Sequence, residues 1–124
     1  SDAVARVRLF GAALESMELF HDDRLALMTL SQELFTRTGA TRADTEDIVN
    51  AALRVASVEV AVLITESTDG VVKLSFRSKG HVDVAELAGR FGGGGHTRAA
   101  GARVKMPLAR IKREVIETTI ALGL

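Results

Sequence analysis

The run Phe91-Gly92-Gly93-Gly94-Gly95-His96 constrains this 124-residue chain more than any other stretch. Glycine loses more conformational freedom on folding than any other residue, so four in a row carry a large entropic cost. A linker would tolerate that cost. Here the run sits inside patterned sequence, between a predicted helix and what reads as a further helical turn. The arrangement predicts a backbone that takes positive φ values and comes very close to another group. Successive N–H groups in such a turn can form an anion nest, and a following helix N-terminus would strengthen it. The run lacks the Gly-Lys-Ser/Thr ending of a P-loop and the spacing of a dinucleotide fingerprint. From the residues alone, a phosphate cradle and a tight structural turn both remain open. His96 can donate to a phosphate oxygen or protonate a leaving oxygen, or it can cap the turn. Ala99, Ala100 and Gly101 are small, which suits close packing against a sheet.

The flanking periodicity predicts a small sheet packed with helices. Residues 3–19 carry Val7, Phe10, Leu14 and Met17 at helical spacing, the apolar stripe of an amphipathic helix. Arg24 to Leu30 reads as a short strand. Ser31 can cap a short helix ending near Gly39. Thr41 or Asp44 can cap the next, which carries Ile48, Val49, Ala52 and Leu53. Val58 to Thr65 is β-branched and almost continuously apolar, the pattern of a buried strand. Asp69-Gly70 signals a turn, after which Val72, Leu74 and Phe76 alternate with Lys73, Ser75 and Arg77. Asp83 and Glu86 have capping-box spacing and open a helix expected to run through Phe91. Ala102, Val104 and Met106 predict another strand, and Pro107 suits the first turn of a last helix burying Leu108, Ile111, Val115 and Leu122. Helices come first and strands mixed with helices follow. The expected class is α/β with α+β-like layering on a small mixed sheet, preceded by a helical connecting segment.

Composition excludes several classes. The longest apolar run, Val60 to Ile64, is far too short to cross a bilayer, so no membrane partner is expected. The first residues do not pattern as a signal peptide. The absence of cysteine removes disulfides, thiolate nucleophiles and cysteine metal cages, and it suits a reducing, cytoplasmic setting. The chain does not begin with methionine, which is expected of a piece of something longer. Net charge is zero, yet residues 1–70 hold six basic and twelve acidic residues, whereas residues 71–113 hold ten basic and two acidic. A basic segment of that size can hold an anionic ligand, although a solvated charged surface explains it equally well. With five Phe, no Tyr and no Trp, an extended base-stacking platform is not expected.

The second candidate cluster is Arg77-Ser78-Lys79-Gly80, at the end of a predicted strand. Arginine offers a bidentate fork for phosphate, and the serine and backbone N–H groups can add donors. A solvated strand end is the alternative. His21 and His81 read as surface residues. No His, Asp or Glu grouping has metal-ligand spacing, so no metal is expected in this chain. Glu46 and Asn50, four apart on one helix face, read as structural.

Four segments together make the chain recognisable: Ser75-Phe76-Arg77-Ser78-Lys79-Gly80, Val82-Asp83-Val84, Phe91 through His96, and Ala99-Ala100-Gly101. They resemble the C-terminal substrate-binding domain of DHH-family phosphoesterases, in particular the bifunctional oligoribonuclease/pAp phosphatase branch. Those enzymes degrade very short RNAs and 3′-phosphoadenosine 5′-phosphate. Asp44 to Asn50 and Ser57 to Ala61 also look like that branch. The resemblance is strong over roughly residues 40–106 and implies a lead-in of residues 1–40 followed by the substrate-binding domain at 41–124. It implies a catalytic domain, absent from this chain, which carries an Asp-His-His and two metal ions, usually manganese. This chain would then hold substrate and be inactive alone.

By the resemblance, Arg77 and Ser78 grip a substrate phosphate or terminal nucleotide. Gly92, Gly93, Gly94 and Gly95 bring backbone N–H groups close, and His96 contacts the phosphate near the scissile bond when the domains close. Lys79 and Arg98 supply peripheral charge. The implied partners are a short RNA, DNA or nucleotide substrate and the catalytic domain in cis, with room for a homodimer of the parent. Two alternatives stay open: the equivalent half of a cyclic-dinucleotide phosphodiesterase, and a non-catalytic RNA-binding module like the domain that ends alanyl-tRNA synthetases.

Overall fold

The Asp69-Gly70 turn sets the middle of the sheet. Gly70 takes φ +81°, and Asp69 Oδ1 accepts from the Val71 N–H at 3.0 Å. The turn joins β3 (Val60–Glu66) to β4 (Val72–Ser78) as an antiparallel hairpin. In this computed structural model, which describes residues 3–124, six strands form one mixed sheet in the order β1-β2-β3-β4-β6-β5. The others are β1 (Glu18–Phe20), β2 (Leu25–Leu30), β5 (Gly94–His96) and β6 (Ala99–Val104). Only β2 and β3 run parallel. A parallel pair needs a long crossover, here made by α2 (Gln32–Thr38), a 3-10 turn (Arg42–Thr45) and α3 (Ile48–Ala52).

Helices cover both faces. On one, α4 (Val84–Gly89) and α5 (Leu108–Ala121) bury Leu87, Ile111 and Val115 against Val62, Ile64, Leu74 and Phe76. On the other, α1 (Ala3–Glu15), α2 and α3 pack Leu9, Phe35, Ile48 and Val49 against Ala26, Met28, Ala61 and Leu63. Each fully buried aliphatic side chain contributes about 1.5–3 kcal/mol. The second core draws only on β2 and β3. On that face α3 reaches part of β4, but the core beneath the helices takes nothing from β4, β6 or β5, and this decides where a ligand can lie.

The caps follow the sequence closely. Ser31 Oγ accepts from the Leu34 N–H, and Gly39 closes α2 at φ +78°. Thr41 and Asp44 form a reciprocal capping box on the 3-10 turn. Asp83 Oδ1 accepts from the Ala85 and Glu86 N–H groups and opens α4.

Several expectations are corrected. α1 ends at Glu15, and its buried face is Ala5, Leu9 and Ala13; Val7 is 69% exposed and Leu14 38%. The alanines let the helix sit close to its neighbours, so the smaller residues face inward. α4 ends at Gly89 rather than Phe91. No helical turn follows the glycine run: Gly94–His96 is an edge strand hydrogen-bonded to β6, and its dipole contribution therefore falls away. The strand predicted around Ala102 starts at Ala99. β1 and β2, drawn from the expected 1–40 lead-in, belong to the same sheet as residues 41–124. Among the described residues, no helix is long and apolar enough to cross a membrane.

A candidate phosphate cleft on the bare half of the sheet

Side chains of paired residues in adjacent strands share a face. Ala61 and Leu63, buried under the α1–α3 layer, pair with Arg77 and Ser75. Arg77 and Ser75 pair in turn with Ala99 and Gly101, which pair with His96 and Gly94. One row therefore reads Arg77–Ala99–His96, and the next reads Ser75–Gly101–Gly94. A third row sets Thr65, Lys73 and Arg103 side by side. All lie on the α1–α3 face of the sheet, where that core draws only on β2 and β3. Arg77 and His96 stand two strands apart, roughly 10 Å between backbones at the usual strand spacing.

A cleft of about 540 Å³ between α3 and β4 is lined by Arg42, Thr45, Glu46, Lys73, Ser75 and Arg77. A second, of about 350 Å³, continues across Lys73, Gly92, Gly101 and Arg103. Arg77 Nη1 donates to the Phe76 carbonyl at 2.9 Å, which steadies its guanidinium over the floor. The rings of His21 and His81 bond the carbonyls of Leu124 and Gly123. The His96 ring makes no such bond among the described residues and is exposed.

The four glycines do different things. Gly92, at φ +79°, turns the chain out of α4. The N–H groups of Gly92 and Gly93 donate to the Gly89 and Ala88 carbonyls. A Cβ on Gly93 would stand 2.0 Å from the Gly101 carbonyl oxygen, and one on Gly95 would stand 2.6 Å from Ala100 Cα. These two permit close approach to β6. Gly94, like Gly92, faces open space. Phe91 anchors the run in the opposite core, its ring stacked on Phe76 at 6.1 Å.

Ser78, Lys79 and Arg98 are placed differently from Arg77. Strand alternation turns Ser78 to the other face, where it is 4% exposed and its Oγ accepts from the Gly80 N–H. The Ser78 N–H donates to the Arg98 carbonyl, and the Val84 N–H to the Thr97 carbonyl. Those bonds hold the Thr97–Arg98 turn that presents His96. Lys79 Nζ donates to the Val55 and Ala56 carbonyls. The Arg98 guanidinium lies against Gly80, where any side chain would collide with it. The structure thus brings together Arg77, Gly94 and His96, while Ser78, Lys79 and Arg98 brace the hairpin beside them. Arg42 and Arg103 enter the cleft without having been singled out by sequence. Arg103 was signalled by its alternation with Ala102 and Val104; nothing local marks Arg42. Among the described residues, no three His, Cys, Asp or Glu side chains converge on one point.

The DHHA1 domain profile matches residues 24–120. The chain is 36% identical over 77 residues to a probable bifunctional oligoribonuclease and PAP phosphatase NrnA of Streptococcus mutans, covering 62% of this chain and 24% of that protein. It is 30% identical over 106 residues to the cyclic-di-AMP phosphodiesterase PdeA of Listeria monocytogenes, covering 83% of this chain and 15% of that one. A crystal structure of an exopolyphosphatase-related protein from Bacteroides fragilis superposes with a TM-score of 0.86 at 26% identity, over all of this chain and 38% of the other. The chain thus spans about a quarter or less of the two curated relatives. It belongs to the DHHA1 domain family.

Proposed function

We propose that this domain is the substrate-holding half of a phosphoesterase acting on short oligonucleotides or nucleotides such as 3′-phosphoadenosine 5′-phosphate. The row Arg77–Ala99–His96, on the part of the sheet that the α1–α3 core leaves out, carries the reading. Arg77 supplies a fork for a terminal phosphate, and the imidazole of His96 donates to the same group or its neighbour. Gly94 and Gly101 keep the floor low enough for the sugar–phosphate chain to lie on the backbone. A catalytic domain in the same parent protein would close over this face and supply a metal-activated water, with manganese the expected ion. A cytoplasmic location and a parent homodimer are part of the same proposal. Relatives named for oligoribonuclease and for cyclic-di-AMP phosphodiesterase activity both support a nucleotide phosphoester. β5 is the edge strand of the sheet, so a strand laid along the Arg77–Ala99–His96 row can run off that edge, which favours a linear ligand.

An amide NMR titration tests it, adding 3′-phosphoadenosine 5′-phosphate, a linear dinucleotide and a cyclic dinucleotide at low salt. Half a site binds weakly, and millimolar contacts worth about −4 kcal/mol remain visible by this method. Shifts should centre on Arg77 and Gly94–His96, and the linear dinucleotide should bind more tightly than the cyclic one. Arg77→Ala and His96→Ala should each weaken binding at least tenfold while Tm moves by less than about 3 °C. Unchanged affinity in both variants would refute the cleft; tighter binding of the cyclic ligand would transfer the reading to a cyclic-dinucleotide phosphodiesterase.

A further inference from the structure

A pocket of about 130 Å³ beyond Arg77 is lined by Arg42, Thr65, Ser67, Lys73 and Arg103. It contains three cations, two residues with hydroxyls and no carboxylate. Lys73 and Arg103 are direct cross-strand partners. Like charges placed opposite one another destabilise a sheet unless something neutralises them. Among the described residues, neither they nor Arg42 forms an ion pair.

Arg42 is also held in place. Its guanidinium lies 3.7 Å from the centroid of the Phe35 ring. Its Nη2 donates to Gln32 Oε1 and, at 2.9 Å, to the Glu66 carbonyl. All three contacts are neutral, so the full positive charge stays available. The rotamer freedom that an anion would otherwise have to freeze is already restricted. A solvated lysine and arginine pair would not need a third, pre-positioned guanidinium beside it.

We propose that Arg42, Lys73 and Arg103 form a second phosphate subsite, taking a downstream phosphate of an oligonucleotide strand whose terminal phosphate lies at Arg77 and His96. Lys73 and Arg77 lie four residues apart on β4, roughly 13 Å at the usual strand rise. That is longer than one ribose spans between its 5′ and 3′ oxygens. The pair of subsites therefore selects a strand of two or more linkages over a mononucleoside bisphosphate. Thr65 and Ser67 add hydroxyl donors at the far end. The inference rests on the cleft reading above, since the strand's end is placed at Arg77.

The test compares the 124-residue chain with K73Q/R103Q, whose side chains are exposed and leave both cores intact. Inorganic phosphate at low salt should shift two sets of amides, one around Lys73 and Arg103 and one around Arg77 and Gly94–His96. The double variant should lose only the first set. Its affinity for a 5′-phosphorylated triribonucleotide should fall at least tenfold, and at least fivefold more than its affinity for 3′-phosphoadenosine 5′-phosphate, since Lys73 also lines the cleft beside Arg77. Equal trinucleotide affinity in wild type and double variant would overturn the subsite. If Arg77→Ala still weakened both ligands, the cleft reading would survive that loss. If neither ligand nor phosphate shifted either set, both would fall together.

Discussion

At the scale of single residues, the glycine run separates into parts that adjacent letters conceal. Gly93 and Gly95 are needed because β6 lies where a side chain would be, and Gly95 also sits at φ +148°. Gly94 has open space above it and is required, if at all, by a ligand. Gly95→Ala should therefore cost about 1–3 kcal/mol of stability through strain and collision. Gly94→Ala should leave the urea midpoint nearly unchanged and weaken nucleotide binding several-fold. Equal destabilisation by the two would show that Gly94 is structural as well. Sequence could identify the run as special but could not apportion it, because the apportioning depends on β6 lying alongside. The same limit applies to Ser78. It follows Arg77 directly, yet alternation sends its hydroxyl into the opposite face. Arg42 was invisible for a stronger reason: the crossover alone brings it to Lys73 and Arg103.

At the scale of elements, local chemistry was the most legible. The Asp69-Gly70 turn, the Ser31 and Asp83 caps and the alternation of β4 all depend on neighbours within a few positions. Each appears where the sequence places it. Asp83→Ala should lower stability by about 1 kcal/mol, with amide exchange rising first at Ala85 and Glu86. An unchanged melting curve would mean that the Val84 N–H bond to the Thr97 carbonyl alone holds the helix start. Elements defined by long-range pairing were less legible. β5 has only three residues, two of them glycine, and exists because β6 accepts it. α1 buries its alanines and turns Val4 and Val7 outward, against the size of its side chains, because a close fit to its neighbours rewards small residues. Hydropathy alone cannot express that preference.

At the scale of the whole molecule, the decisive fact is unequal cover. One face of the sheet carries the core beneath α4 and α5, whereas the core beneath α1–α3 draws on β2 and β3. Of the basic residues in the second half of the chain, Lys73, Arg77 and Arg103 lie on the part of the sheet that the α1–α3 core leaves out. On the proposed reading, a second body completes the site. We therefore expect the purified 124-residue chain to show no manganese-dependent hydrolysis of short RNA. Turnover above background that disappears in His96→Ala would contradict this.

The small residues of the cleft floor have a further consequence. They are Gly94, Gly101 and Ala99, which offer neither a ring to stack on nor a side chain to read a base edge. Phe76 and Phe91 are engaged in the opposite core, and Phe35 lies beneath Arg42. Grip comes from cations that address the sugar–phosphate chain. Such a surface measures how long a fragment is and where its charges fall, while remaining blind to the letters it carries. On the proposed reading, such indifference would suit a domain that must hold short fragments of any sequence.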